Sequence, residues 1–182
     1  GQLGIEFATR SGNPSTAGQV YFLFGGFTAH WRTHISHGLE LLRSALRLSL
    51  EAGDRFYAAF ASSVAANYRL YAGENLEDVQ VAVNAAREVA DQAGDLVNQA
   101  FAGICQQAVW ALQGKTNHVG TLSSPDFDEA TFESTVALSA LPFYGTVKAM
   151  LRYLDGKPGE ALTAADQWEL PPGMFFHGEN AL

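Results

Sequence analysis

The sequence predicts an all-α protein made of stacked antiparallel helical hairpins. Alanine is abundant and β-branched residues are sparse, which favours helix. Apolar residues recur every three or four positions through most of the chain, the spacing of one face of a helix. Glycine-centred breaks also recur: the Gly53-Asp54 and Gly94-Asp95 pairs lie 41 residues apart, and Gly73, Gly114 and Gly156 are spaced by 41 and 42.

The regular breaks predict a TPR-like α-solenoid with a repeat period of about 41 residues. This period is longer than the ~34 residues of a tetratricopeptide repeat and falls within the ~40–47 of HEAT-like arrays. Because one hairpin buries only part of its apolar surface, neighbouring hairpins must stack. We therefore predict one helical-repeat domain over residues 1–182, with an irregular segment at 115–140 where a long second helix is expected.

The helix predicted over 34–52 carries two apolar stripes, so it should contact neighbours on both sides. On its polar face Arg47 and Glu51 can pair at i,i+4. Gly53 can adopt the left-handed conformation that ends a helix, and Asp54 can cap the next one. The stripes comprise Ile35, Leu39, Leu42, Leu46 and Leu50, and beside them Leu41, Ala45, Leu48 and Ala52.

The other helices follow from the same periodicity. Gly25-Gly26 inside the second helix indicates close helix–helix approach or a kink. Asp126 and Glu129 form a predicted capping pair for a short helix. The predicted helices are part of 1–10, then 16–31, 54–72, 75–93, 96–112, a short helix containing Phe127, Phe132 and Val136, then 141–154, 161–168 and a start at 174–182.

Composition excludes several classes of function. The net charge of −8 argues against nonspecific nucleic-acid and anionic-membrane binding. No apolar run approaches the roughly 18 residues of a membrane span, and no signal peptide is recognisable. The lone Cys105 suits a reducing compartment, so we expect a cytoplasmic protein. Since the chain lacks an initiator methionine, we expect it to be a fragment of a longer multidomain protein.

No motif in the sequence carries a reaction. Gly114-Lys115-Thr116 resembles the end of a phosphate-binding loop, but Val109 stands where that motif needs glycine, and a helix precedes it. Cys105 lies on an apolar helix and is interpreted as a buried small hydrophobe. We expect no catalytic residue and no cofactor. The acidic residues Asp126, Asp128, Glu129 and Glu133 are interpreted as a solvated helix start, because a calcium loop would need glycine and alternating ligands.

Two sets of residues are candidates for a site. His30, His34 and His37 are spaced four and three apart and could bind zinc from one helix face. We prefer interhelical hydrogen bonds and packing beside Trp31 for these histidines, since the repeat predicts a helix break there and no fourth ligand is near in sequence. A possible ligand groove comprises Trp31, Tyr57, Tyr68 and Tyr71, although aromatic residues at helical spacing are more often core.

A family resemblance adds to this interpretation. It rests on the motifs Phe27-x-x-His30-Trp31, Leu39-x-Leu41-Leu42-Arg43-x-Ala45, Gly53-Asp54-x-x-Tyr57-Ala58, Tyr71-Ala72-Gly73-Glu74-Asn75 followed by Leu76-Glu77, Tyr153-Leu154-x-Gly156, Ala161-Leu162 and Leu170-Pro171-x-Gly173. Residues 20–182 resemble the helical-repeat region that follows the AAA/STAND-type ATPase module in large bacterial signalling proteins. Those proteins typically carry a serine/threonine kinase domain before the ATPase and GAF, histidine-kinase or other output domains after it.

The resemblance implies a non-catalytic module for protein–protein or interdomain contacts, with other domains of the same chain or a signalling protein as partners. It carries over no catalytic residue, because the kinase and ATPase motifs of that family lie outside the matching region. One alternative is a small-molecule effector sensor that uses the aromatic groove. A second alternative is a metal-dependent helical enzyme that uses the three histidines.

Overall fold

The computed structural model describes residues 2–135 and 140–167, and over those ranges the chain is helical without a β-strand. The all-α prediction is therefore confirmed. None of the described helices is long and apolar enough to cross a membrane. The helices are α1 (Gln2–Arg10), α2 (Pro14–Phe27), α3 (Ile35–Glu51), α4 (Arg55–Tyr71), α5 (Leu76–Ala93), α6 (Leu96–Leu112), α7 (Glu129–Thr135), α8 (Leu141–Leu154) and α9 (Pro158–Gln167), with a 3₁₀ turn at Ala29–Trp31 between α2 and α3.

The chain divides into two compact units, Gly1–Gln99 (unit 1) and Ala100–Leu182 (unit 2). Whether both belong to one domain stays a prediction. Four predicted features lie outside the described residues: Val136 of the short helix, the end of the 161–168 helix at Trp168, the break at Leu170-Pro171-x-Gly173, and the helix start at 174–182.

In unit 1 each helix packs against the one before it, α2 on α1, α3 on α2, α4 on α3 and α5 on α4. The two-sided packing predicted for α3 is thus confirmed. The stripe prediction is wrong for Leu50, which is 56% exposed in the last turn of α3, and for Ala52, which is exposed directly after that helix. A core cluster of unit 1 consists of Phe22, Leu39, Leu42, Ala45, Ala61 and Tyr68.

The α2–α3 contact explains one of the two paired glycines. A Cβ on Gly25 would lie 2.8 Å from the Leu41 Cβ and 3.2 Å from the Gly38 carbonyl oxygen. Gly26 differs, because its added Cβ would meet only atoms at 3.7 Å or more. The predicted close helix approach is confirmed at Gly25. The helix itself begins at Pro14, where the Asn13 side chain caps it, and ends at Phe27 instead of residue 31 because the chain tightens into the 3₁₀ turn.

Five helix ends share one geometry, the Schellman motif. In each, glycine takes a φ between 66° and 75°, and the next residue donates its backbone N–H to the carbonyl five positions earlier over 2.8–3.2 Å. Glycine is favoured there because a Cβ crowds the left-handed conformation. The side chains of Asp54, Asn75 and Asp95 then cap α4, α5 and α6 as acceptors of backbone N–H groups. The five glycines are Gly53, Gly73, Gly94, Gly114 and Gly156.

Unit 2 contains the irregular segment. A loop follows α6, and the α7 helix after it has only seven residues, so the predicted departure from regular repeats near 115–140 is seen in the described part of that segment. The cap of α7 is Asp128, whose Oδ2 accepts from the Thr131 N–H at 2.8 Å. The prediction of Asp126 as the cap is wrong because α7 begins only at Glu129, after the backbone bridge between Ser124 and Phe127. Helix α8 packs on α9.

Candidate functional site

The three histidines have separate roles in the structure. His30 lies in the 3₁₀ turn, with its Nδ1 3.0 Å from the Tyr68 Oη, and that hydroxyl donates to the Gly26 carbonyl at 2.6 Å. Because the hydroxyl proton points to Gly26, the His30 Nδ1 must carry the proton that joins it to Tyr68. Burial lowers the pKa of His30 below its ordinary value of 6.5. This contact ties the α2–α3 connection to α4, the interhelical role preferred above.

His34 and His37 lie near the start of α3 and make short-range contacts there, so the preferred interhelical hydrogen bonds are wrong for these two histidines. The His34 Nδ1 accepts from the Ser36 N–H at 3.3 Å and so caps α3. The His37 Nδ1 lies 3.6 Å from Glu40 Oε2. Among the residues that the structure describes, no three His, Cys, Asp or Glu side chains come close enough to hold a metal ion.

Three of the four aromatic residues of the predicted groove, Trp31, Tyr57 and Tyr68, lie in two separate places, and the fourth, Tyr71, is half-buried at the end of α4. Trp31 is 58% exposed and lies beside His30 at 5.5 Å between ring centroids, while Tyr68 is buried and meets the same imidazole edge-on at 6.2 Å. Tyr57 instead packs edge-on against Phe22 at 5.6 Å. It precedes Tyr68 by 11 residues of helix, or roughly 16 Å. The structure therefore does not gather these side chains into one lining, and ligand binding by them stays a prediction.

A different surface of unit 1 is apolar and open. It lies at the end where α3 meets α4 and α5 meets α6, at the two Gly-Asp turns. Three large apolar side chains are more than half exposed there: Leu50 (56%), Phe56 (55%) and Leu96 (76%). We call this surface the turn face and define it by Leu50, Arg55, Phe56, Val89, Gln92 and Leu96.

Two shallow clefts indent the turn face. One, of about 300 Å³, is lined by Leu50, Arg55, Ala58, Val89 and Gln92. The other, of about 430 Å³, is lined by Phe56, Leu96, Val97 and the residues of the Gly94-Asp95 turn with Ala93. The two linings meet where Arg55 precedes Phe56 and Gln92 precedes Ala93. Both clefts therefore lie beside the start of α4 and the end of α5.

Arg55 is the positive charge of the turn face. Its Nη1 donates to the Gln92 carbonyl over a long 3.4 Å, and over residues 2–135 and 140–167 it forms no ion pair with a carboxylate. The flanking aspartates are already engaged. Asp54 accepts from Tyr57 N–H, Ser15 Oγ and Gln19 Nε2, and Asp95 caps α6.

The turn face was missed at the level of the sequence. Periodicity assigned Leu50 to an apolar stripe, and Phe56 has the same three- or four-residue spacing to Phe60 and Val64; such a stripe predicts burial along its whole length. The signal that could have found this surface is position: both residues lie within three residues of a Gly-Asp turn. A side chain in the end turn of a helix is covered only if the neighbouring helix extends that far.

Unit 2 contains a second polar feature, a cluster that joins α7 to α8. Glu133 Oε1 accepts from Tyr144 Oη and from Lys148 Nζ, each at 2.5 Å. Glu129 also accepts from Tyr144 Oη at 3.1 Å and from the Thr121 hydroxyl. The glutamate side chains are 13% and 25% exposed, so the prediction of a solvated helix start is wrong at Glu129 and Glu133. They face α8 because both pairs, Glu129/Glu133 and Tyr144/Lys148, are spaced i,i+4 and therefore lie on single helix faces.

Electrostatics stabilise this cluster as an ion pair. Burial alone would raise the pKa of the Glu133 carboxyl, but hydrogen bonds from Lys148 and Tyr144 and the charges of Lys148 and Arg152 lower it below its usual value. Burial and the bonded glutamates raise the pKa of Tyr144. Glu133 is therefore ionised and Tyr144 protonated near neutral pH. These groups satisfy one another and hold α7 against α8.

Cys105 is fully buried in α6, as the sequence predicted, and burial raises the pKa of its thiol to about 12. The thiolate is the reactive form of cysteine, so this side chain is inert at neutral pH.

A comparison with family models, curated proteins and solved structures finds no match to the chain.

Proposed function

We propose that the chain is a non-catalytic helical module that mediates protein–protein or interdomain contacts and regulates a bacterial signal-transduction protein. The observation that carries this proposal is the recurrence of one turn geometry, glycine in a Schellman motif, at helix ends spaced by 41 or 42 residues. Repeated hairpins of this kind stack into TPR-like solenoids, and solenoids bind their partners through an extended surface.

The packing of unit 1 supports the solenoid part of the proposal. Helices α2, α3, α4 and α5 each contact the helix that precedes them, and the connections between α3 and α4 and between α4 and α5 are short. Helices joined by such short turns pack as antiparallel neighbours. A chain organised in this way consists mainly of contacts between sequence neighbours, the hallmark of repeat proteins.

The turn face supports the interaction part. Large apolar side chains that remain exposed beside one another mark a surface that a partner covers. By contrast, the ionisable groups of the unit 2 cluster are bonded to each other and hold two helices together. The more open of the two surfaces is therefore the one suited to contact.

The placement in a signalling protein rests on the resemblance to helical-repeat regions that follow ATPase modules. Its motif residues have structural roles in this chain. His30 of the Phe27-x-x-His30-Trp31 motif bonds to α4, and Gly53-Asp54 ends α3 and caps α4. In such a protein the module would couple the nucleotide state of the ATPase to output domains, in the cytoplasm.

The test uses the full-length gene product that contains this chain. Its ATP hydrolysis and phosphotransfer output are measured with increasing amounts of the separate 182-residue chain added in trans. A module that contacts the other domains should compete with its tethered copy and change the output. The control is the chain with Gly38→Leu, whose side chain would collide with the Gly25 carbonyl and Tyr68 and disrupt unit 1. Unchanged output with both chains, together with no co-sedimentation, would refute the proposal.

A further inference from the structure

We propose that the turn face of unit 1 binds a partner segment in which a carboxylate lies between two apolar side chains. The inference rests on the proposed interaction function and identifies the surface and the chemistry of its partner. Arg55, which lines the first cleft, would pair with the carboxylate, and the apolar side chains on either side of it would contact the apolar residues of the first and second clefts.

The first argument is charge. The chain carries a net charge of −8, and over the described residues Arg47, Arg69 and Arg152 are paired with glutamates, whereas Arg55 is among the arginines without an ion pair. Arg55 instead reaches only a carbonyl at 3.4 Å, while the nearby Asp54 and Asp95 use their oxygens to cap helices. A guanidinium that has no ion pair can donate two hydrogen bonds to a carboxylate without breaking an existing ion pair.

The second argument is the arrangement of apolar surface around that charge. Leu50 and Val89 lie beside Arg55 in the first cleft, and Phe56 and Leu96 line the second. Contact regions of this type place apolar anchors in pockets around a small number of oriented polar groups. A purely apolar partner would bury the Arg55 charge without compensation, and a purely acidic one would be repelled by the net negative chain.

A second copy of this chain is the competing occupant. It could supply a carboxylate as well, because the chain has 19 acidic residues. Self-association through the turn face would then depend on Arg55 and on protein concentration. Sedimentation of the wild-type chain and of the Arg55→Glu variant distinguishes self-association from binding of a foreign segment. If the wild-type chain is an oligomer and Arg55→Glu dissociates it, the proposal of a foreign segment is overturned.

The binding experiment uses the full chain and a library of random 12-residue peptides displayed on phage. Selected peptides are synthesised with a fluorophore, and their dissociation constants are measured by fluorescence polarisation. Each peptide is compared with the version in which its acidic residue is replaced by the matching amide. We expect enriched peptides to share an Asp or Glu flanked by apolar residues.

Matched variants of the chain locate the site. Arg55→Glu should weaken binding about tenfold or more, the usual scale for losing a charge pair at an interface. Replacing the acidic residue of the peptide by its amide should weaken binding to the wild-type chain by a similar factor. The same replacement should weaken binding to the Arg55→Glu variant only slightly further. Arg32→Glu makes the same charge change near the opposite end of α3. The 17 residues of that helix separate its two ends by roughly 25 Å, so this variant should leave the dissociation constant within about twofold of the wild-type value. Leu96→Ser tests the apolar cleft and should also weaken binding.

Peptides without a conserved carboxylate, or equal binding to the Arg55→Glu and Arg32→Glu variants, would overturn this site. Binding that Arg32→Glu abolishes would move the surface to the Trp31 end of unit 1. In both cases the proposed interaction function survives if the separate chain still changes the output of the full-length protein. Failure of both experiments would reject the function as well as the site.

Discussion

Gly25→Ala in α2 should destabilise unit 1, whereas Gly26→Ala, one residue further, should not. The new Cβ at position 25 would lie 2.8 Å from the Leu41 Cβ and 3.2 Å from the Gly38 carbonyl oxygen. These atoms belong to the α3 backbone or are attached directly to it, so they cannot rotate away. Since carbon atoms in contact prefer about 3.5–4.0 Å, α2 and α3 would have to separate by up to about 1 Å at this crossing.

The magnitude follows from two opposing effects. Overpacking a well-packed contact costs about 1–3 kcal/mol. Replacing glycine by alanine inside a helix returns up to about 1 kcal/mol. The expected net loss for Gly25→Ala is therefore about 1–2 kcal/mol. At Gly26 the added methyl would meet neighbours at 3.7–3.8 Å, an ordinary contact distance, so only the helix-propensity gain applies and stability should be unchanged or up to about 1 kcal/mol higher.

The assay is urea unfolding of the full chain followed by far-UV circular dichroism, with the free energy of unfolding taken from the midpoint and slope. Gly26→Ala is the matched control, because it makes the same chemical change in the same helix. A lower midpoint for Gly25→Ala alone, with an unchanged slope, is the expected result. If the two variants have the same stability, close helix approach is not the reason for glycine at position 25.

Glu133→Gln should destabilise the chain by about 1–3 kcal/mol in thermal unfolding, because Lys148 loses a charged acceptor. The control Glu160→Gln, at an exposed ion pair, should change the stability by less than about 0.5 kcal/mol. If the two variants lose the same stability, the cluster does not hold α7 against α8. Gly94→Ala should cost about 1 kcal/mol in urea unfolding, because the residue has a φ of 66°, and wild-type stability would refute this. Stability should fall as pH decreases below the ordinary His30 value of 6.5, since burial lowers the pKa of His30 and the unfolded chain binds the proton first. His30→Gln should remove part of this fall, and parallel stability curves from about pH 8 to about pH 5 would contradict it.

Much of the local structure could be predicted from the sequence. The glycines at helix ends, the aspartates that follow two of them, and the Arg47–Glu51 pair all form as predicted. These features depend on residues within about five positions of each other, and backbone sterics decide them locally. Element ends at 27 and 129 were less predictable, since a tightened turn and a backbone bridge compete there with helix continuation.

The surfaces that matter for function could be predicted only in part. Periodicity correctly predicted the burial of Leu39 and Leu42, but it gave the same expectation for Leu50, which is exposed. It assigned Glu129 and Glu133 to solvent, although Tyr144 and Lys148 reach them from α8. In each case the decisive atom belongs to another helix, and the sequence does not state where that helix crosses.

The sequence by itself determined that the chain is helical, where most helices end, and which face of each helix is apolar, because these depend on local backbone preference and on a 3.6-residue period. Tertiary structure alone decided which parts of those faces are covered. It left Arg55 without a carboxylate among the described residues and placed it in the lining of an open cleft. The physical reason is that burial depends on how far a neighbouring helix extends, and an ion pair depends on a partner brought close by packing.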